Sequence, residues 1–311
     1  MDIFHKVALQ GLKKNRTRTL VTIVGVILSA ALITAVATFG SSLLNYLTNG
    51  SIAKYGDWHV EFVDVDSSFV QERTNDKEVS NTAAFENIGY AMLDGAKSQE
   101  KPYLFFSGFN DKTFDLLPIA LISGRLPENS SEVLVPSHIA AKAGIEISVG
   151  DTLPLTVGNR EADGKTLTQH DSYRAGNETL VSTTEKTYKV VGICDRPGFE
   201  EHSAPGYTLI TKADTVDQTD SFSLFVTLKN PHKVKAYASG AAKTGAYVLN
   251  DDVLRFLGVS NNKLFNTMLY SVGGILVAII MIGSIFLIYN SFNISLNERT
   301  HQFGILMSVG A

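Results

Sequence analysis

Two stretches of this chain contain no charged residue, residues 19–53 and 264–297, and most of the chain's charged residues lie between them. Within the second, residues 272–289 are almost wholly apolar. A helix rising about 1.5 Å per residue crosses about 30 Å of hydrocarbon over such a length, so the pattern predicts two membrane spans. The first helix with its stalk is expected over residues 19–47, and the second over 264–292. Ahead of them, residues 1–18 place Ile3, Phe4, Val7, Ala8 and Leu12 near helical spacing with lysines opposite. That reads as a short amphipathic helix lying on the inner membrane surface. Ala35-Val36-Ala37 resembles a signal-peptidase site, but the apolar core from 20 to 37 exceeds the usual ~7–15 residues, which favours an uncleaved anchor.

The middle, residues 48–263, alternates as strands do. Residues 58–64 and 222–228 show a period of two, and short β-rich runs at 104–106, 132–135, 153–157, 188–193 and 207–210 are bounded by Gly, Pro, Asn or Asp. Helices are expected at 81–93, 137–143 and 232–242, with a second stalk helix over 251–265. Residues 159–186 are polar and Thr-rich and read as a long hairpin tip or mobile loop. The expected class is an α+β extracytoplasmic domain between two transmembrane helices with stalk extensions, its central subdomain at about 110–213.

Charge sets the orientation. Residues 1–18 hold Lys6, Lys13, Lys14, Arg16 and Arg18 against Asp2, a net +4. Residues 45–266 hold 21 of the 27 Lys+Arg and 29 of the 31 Asp+Glu, 21 − 29 = −8. Basic residues flanking a span stay in the cytoplasm, so the N-terminus is expected inside and the acidic middle outside. The overall mean hydropathy of +0.08 hides this division. An acidic domain has no basic footprint for nucleic acid, and a lone Cys194 excludes an internal disulfide.

Local matches to enzyme motifs do not hold together. Gly158 and Gly164-Lys165-Thr166 have five residues between the glycines where a phosphate loop needs four, and the polar TLTQHDSYRAG around and after them is no helix start. The bland reading is a hairpin turn. Ser51-Ile52-Ala53-Lys54 and Lys243-Thr244-Gly245 match two of three penicillin-binding signatures, but the third, Ser260-x-Asn262, falls out of order. The seven histidines are scattered, and Asp64-x-Asp66 and Asp251-Asp252 read as loop or helix-start charges rather than calcium ligands. No catalytic residue, cofactor or metal is expected.

Two regions carry a family resemblance. The segment 297–311, with Glu298-Arg299 and Phe303-Gly304-Ile305-Leu306…Gly310-Ala311, resembles the cytoplasmic segment after the second span of FtsX-like permeases of ABC transporters. It departs at Gln302, where the family commonly has Glu. Gly124-Arg125-Leu126-Pro127-Glu128, Glu132 to Val135, Gly150-Asp151 and the run from Tyr188 through Gly192 to Ile193 are similar to the MacB-type extracytoplasmic domain. The resemblance implies a permease subunit that is not itself an enzyme. Its partners would be a separate ABC ATPase subunit, a second permease copy or homologue, and membrane lipid.

By the same resemblance, residues 293–311 form a coupling segment touching the ATPase through Glu298, Arg299, Phe303, Gly304, Ile305 and Leu306. Gly124, Arg125, Pro127, Gly150, Asp151 and Gly192 form the outer-domain motif, with Arg125 and Asp151 read as turn stabilisers. A family permease has four spans, so the stop at Ala311 reads as a truncation before the third and fourth. The setting would be a bacterial plasma membrane. The rival reading is a two-span receptor with an extracellular sensor and a missing output domain. It shares the topology, but Gly304 and Gly310 suit the expected coiled coil poorly. The smaller divisome FtsX protein fits less well, because it lacks the Gly124 to Asp151 pattern.

Overall fold

The computed structural model describes residues 16–213, 221–242 and 246–308, and of Glu298, Arg299, Phe303, Ile305 and Leu306 it describes the backbone alone. The amphipathic helix expected over residues 1–18 therefore lies almost wholly outside the described residues, as does Lys243-Thr244-Gly245. The chain forms two compact units, one of Met1–Tyr46 with Leu264–Ala311 and one of Leu47–Lys263.

Helices α1 (Arg16–Tyr55) and α7 (Lys263–Ser308) bound the chain. Their segments Ile23–Tyr55 and Lys263–Asn290 are each long and apolar enough to cross a membrane. Large apolar side chains such as Phe39, Ile285 and Phe286 stand more than 60% exposed on them, as a lipid-facing helix requires.

The unit Leu47–Lys263 is built on one sheet. In chain order its strands are β1 (Val60–Val65), β2 (Val79–Met92), β3 (Tyr103–Phe109), β4 (Leu121–Gly124), β5 (Glu132–Pro136), β6 (Thr152–Ala162), β7 (Lys165–Leu167), β8 (Thr179–Cys194), β9 (Gly206–Lys212), β10 (Phe222–Leu228) and β11 (Tyr247–Leu249). The spatial order is β11-β1-β10-β2-β3-β9-β5-β8-β6-β7, with β4 also paired to β8. One further pairing, Tyr90 opposite Gly158, returns β6 to β2, so six of the strands close a ring. Gly89 permits that approach, and Gly158 permits the one between β6 and β8. A Cβ at Gly89 would lie 2.8 Å from the Gly158 carbonyl, and one at Gly158 would lie 2.5 Å from the Val181 carbonyl.

Residues from all six strands of the ring gather in one core, including Ala91, Phe106, Val157, Val133, Tyr188 and Tyr207. Helix α4 (His138–Ala143) adds Ile139 and Ala143 to it. A second core packs the β1 and β10 residues Val60, Phe62, Leu224 and Val226 against α5 (Val234–Ala241) and α2 (Ser67–Thr74). A third, aromatic core joins Trp58, Phe85, Phe105, Phe109 and Phe225 with Leu116 of α3 (Asp111–Leu116).

Two expectations are corrected, and a third is decided between its two alternatives. The helix expected at 81–93 is the central strand β2, hydrogen-bonded to β10 on one edge and β3 on the other. Its apolar residues at 83, 84, 85, 88, 90 and 91 mimic helical spacing because both of its faces are covered. The stalk helix expected over 251–265 is interrupted. Helix α6 (Asp251–Leu254) stops after one turn, the chain takes a positive φ of 73° at Gly258, and α7 starts at Lys263.

The polar stretch 159–186 is the hairpin tip of its two readings rather than the mobile loop. Asp163 and Gly164, both at positive φ, turn β6 into β7, and β6 pairs with β8 as far out as Glu161 opposite Thr179. The segment between β7 and β8 is then tied down by the fully buried Arg160, which bonds Glu178 and the carbonyls of Thr168 and Asp171.

Candidate functional site

The first site is where the chain enters and leaves the unit Leu47–Lys263. Helix α1 closes with the Gly56 N–H donating to the Ile52 carbonyl at 2.8 Å. Two residues on, the indole Nε1 of buried Trp58 donates back to the Tyr55 carbonyl at 2.8 Å, and its ring meets Phe225 edge-on with centroids 5.0 Å apart. The end of the helix is thus fastened to β10 by an aromatic anchor.

At the other end of the unit, Asn250 caps α6 by accepting from the Val253 N–H at 3.3 Å, and its amide donates to the carbonyls of Trp58 at 3.0 Å and Gly56 at 3.4 Å. One buried side chain therefore bridges the incoming and outgoing chain. Gly198 presses on the same place, since a Cβ there would lie 2.5 Å from the Lys54 carbonyl. Asn250-Asp251-Asp252 is a legible helix start, but nothing in the sequence points from Asn250 to Gly56.

The outer-domain motif residues assemble around the Val190–Gly192 stretch of β8. Gly124 ends β4 opposite Gly192, and the next N–H, of Arg125, donates to Val191 O at 3.0 Å. From the other side the Gly150 N–H donates to Val190 O at 2.8 Å, while Val190 donates to Asp151 O at 2.8 Å. Asp151 also accepts from the Ser148 N–H at 2.8 Å.

Arg125 forks onto the Glu132 carboxylate, Nη1 at 2.7 Å, and that carboxylate accepts from the Glu128 N–H as well, so the loop carrying Pro127 is closed by side chains. The Arg125 bond and then the Glu128 N–H hold the Glu132 pKa down at about 2. Beside this motif Leu121, Ile122, Leu126 and Val149 are exposed.

The expected coupling residues lie far from that motif in the chain. Glu298, Arg299, Phe303, Gly304, Ile305 and Leu306 all fall within α7, which runs without a break from the second span to Ser308. Gly304 is exposed, and a Cβ there would meet nothing within 4 Å. Ser51 is helical, Gly164 lies in the β6–β7 turn as the bland reading has it, and Lys165 and Thr166 begin β7. Asp66 caps α2, accepting from the Phe69 N–H at 2.7 Å, and Asp251 accepts from the Asn261 N–H. Among the described residues no group of three or more His, Cys, Asp or Glu could hold a metal ion.

Comparison with known proteins gives this geometry a family. No curated protein matches the chain. Solved structures similar to it include the extracellular domain of the noncanonic ABC-type transporter YknZ from Gram-positive bacteria, at 12% identity over 61% of this chain and 98% of that one, TM-score 0.34. Another is the periplasmic region of MacB from Actinobacillus actinomycetemcomitans, at 10% identity over 68% and 97%, TM-score 0.36. A domain of a putative permease from Porphyromonas gingivalis matches at 11% identity over 62% and 88%, TM-score 0.31. Residues 19–243 match the model of the MacB-like periplasmic core domain, most of the chain, and the protein belongs to that family, the outer domain of MacB-type ABC transporter permeases.

Proposed function

We propose that the chain acts as a permease subunit of an ABC transporter. In this reading it passes ATP-driven movement of a separate nucleotide-binding subunit to the outer unit, for export or extraction of a substrate. The observation that carries the reading is the Asn250 bridge. Displacing α1 along its axis pulls on Gly56 and Trp58, and Asn250 hands the same displacement to α6.

A buried amide making three such bonds transmits force, where a flexible linker would absorb it. The basic N-terminus places residues 1–18 and 293–311 in the cytoplasm and about 48–263 outside. Glu298, Arg299 and the Phe303–Leu306 run then meet the ATPase, with a second permease copy alongside in the lipid. ATP hydrolysis belongs to that partner, and this chain contributes no catalytic residue.

The test is co-purification of the full-length protein in detergent with candidate ATPase subunits, repeated with Glu298→Ala and Gly304→Trp. A stable complex whose ATPase activity falls in both variants supports the reading. Recovery without any ATPase, under conditions that keep the protein folded, refutes it.

A further inference from the structure

The outer unit encloses a cavity of about 460 Å³ between β1, β2 and β10 on one side and the β7 end with the 168–170 and 199–204 segments on the other. That volume is in the range of small-molecule sites, about 300–1,000 Å³. We propose that it binds an organic cation, a protonated amine or guanidinium carried on an apolar body.

Charge is the first argument. The carboxylates of Glu61, Asp64, Glu200 and Glu201 line the cavity. Glu200 is already satisfied, because Lys101 Nζ at 2.7 Å, His138 Nε2 at 2.9 Å and the Thr208 N–H at 2.8 Å surround it. Of the other three, Glu61 and Glu201 share one imidazole, and Asp64 is held, among the described residues, by the Ser221 hydroxyl alone. His170 Nε2 lies 3.4 Å from Glu61 and Nδ1 lies 3.3 Å from Glu201. Protonated, it leaves the wall with 3 − 1 = 2 uncompensated negative charges. The Glu61 side chain is only 4% exposed. A carboxylate so removed from water is costly unless a cation reaches it, and the imidazolium that reaches Glu61 is shared with Glu201.

The second argument is shape. Phe85, Phe105 and Phe199 form an apolar floor, with Phe85 and Phe199 centroids 5.3 Å apart. Aromatic faces beside carboxylates suit a cation on an apolar body. Tyr90, a fourth aromatic in the wall, already carries the Arg160 guanidinium at 5.3 Å. That arginine is fully buried and holds the Thr168 and Asp171 carbonyls, so the roof of the cavity has a fixed position.

The third argument is backbone strain. Asp64 sits at φ +52° where the β1–β10 register slips between Phe62 and Val65. Left-handed aspartate in a strand is uncommon, and this one turns its carboxylate to accept from Ser221 Oγ at 2.7 Å in the cavity wall. Such strain persists where the surroundings enforce it, characteristically at ligand sites.

The test uses three molecules of one shape: 4-phenylbutylammonium, 4-phenylbutanol and 4-phenylbutyrate. Each is titrated by saturation-transfer NMR against the full chain in nanodiscs, with empty nanodiscs subtracted to remove partitioning into lipid. The ammonium is expected to bind roughly tenfold more tightly than the alcohol, the size of one charge-assisted contact, and the carboxylate not at all. Glu61→Gln is expected to weaken the ammonium by a similar factor. Asp64→Asn, which keeps a residue tolerant of the left-handed backbone, serves if Glu61→Gln does not fold. Equal binding of ammonium and alcohol, no binding of the ammonium, or an affinity unmoved by the folded variants overturns the proposal. None of these readouts involves an ATPase, so a failure here is distinct from a failure of the permease reading.

Discussion

Arg160 and Glu178, eighteen residues apart, form a bidentate ion pair with both side chains fully buried, Nε at 2.9 Å and Nη2 at 2.8 Å from the two carboxylate oxygens. The guanidinium also lies over the rings of Tyr90 and Tyr103, at 5.3 and 5.4 Å. A polar hairpin is thereby sewn onto the aromatic face of the sheet. Removing one partner strands the other charge in the interior, a loss of about 3–5 kcal/mol.

Arg160→Met is accordingly expected to lower the thermal midpoint of the outer unit sharply and to speed amide exchange over residues 168–178. Replacing both partners, Arg160→Met with Glu178→Leu, is expected to recover part of the loss, because no unpaired charge remains. Calorimetry and hydrogen exchange check both. A single variant as stable as the native protein would mean that the ion pair does not hold the hairpin.

His170 should give this domain a dependence on alkaline pH. Burial pulls its pKa down, but the carboxylates of Glu201 and Glu61 outweigh that and raise it to about 10. The folded value stands above the unfolded one of about 6.5. Its contribution is therefore complete below about pH 6.5 and disappears as the pH rises through about 10. The thermal midpoint of the native protein should fall between pH 6 and pH 10.5 by more than that of His170→Gln. Each kcal/mol of difference corresponds to roughly 2–4 °C for a domain of this size. Parallel pH profiles would show that the imidazole does not bind its proton more tightly when folded.

These two interactions also mark where the sequence stops being informative. Strands β1 and β10 are legible because their residues alternate, and the spans because they lack charge. Yet alternation in β1 would put Glu61 in solvent, whereas it is buried against a second layer. Strand β2 reads as a helix because propensity and spacing are local, while its conformation is set by β10, whose paired residues lie 136–149 positions downstream, and by β3, 11–24 downstream. Nothing in the text of the chain pairs Arg160 with Glu178 or Asn250 with Gly56. The motif glycines could be picked out by resemblance, but what each one permits is a property of the assembled sheet.

Among those glycines the structure predicts unequal tolerance. Gly124 has φ +79°, and a Cβ there would meet the Val191 carbonyl at 2.2 Å. Gly150 has φ +103° with nothing within 4 Å. Alanine at 150 should cost only the left-handed backbone, about 1–2 kcal/mol. Alanine at 124 adds an overlap with main chain that cannot swing aside, for roughly 3 kcal/mol or more in all. Urea titration of the two variants distinguishes them, and equal losses would contradict the close packing of β4 on β8.

The orientation can be read with thiol chemistry because the native cysteine is out of the way. Cys194 is fully buried, and burial, with the nearby carboxylates of Glu200 and Asp195, pushes its pKa up to about 12. It should stay protonated and unreactive toward a maleimide at neutral pH. Ala175, between β7 and β8, is exposed, as is Met307 near the end of α7. If the outer unit faces away from the cytoplasm, a membrane-impermeant maleimide applied to intact cells labels Ala175→Cys and leaves Met307→Cys unlabelled until the membrane is opened. The unaltered protein, labelled under neither condition, confirms that Cys194 is silent. Labelling of Met307→Cys alone would invert the topology. Labelling of both in intact cells would place both positions on the outer side, which would mean that the chain does not cross the membrane twice.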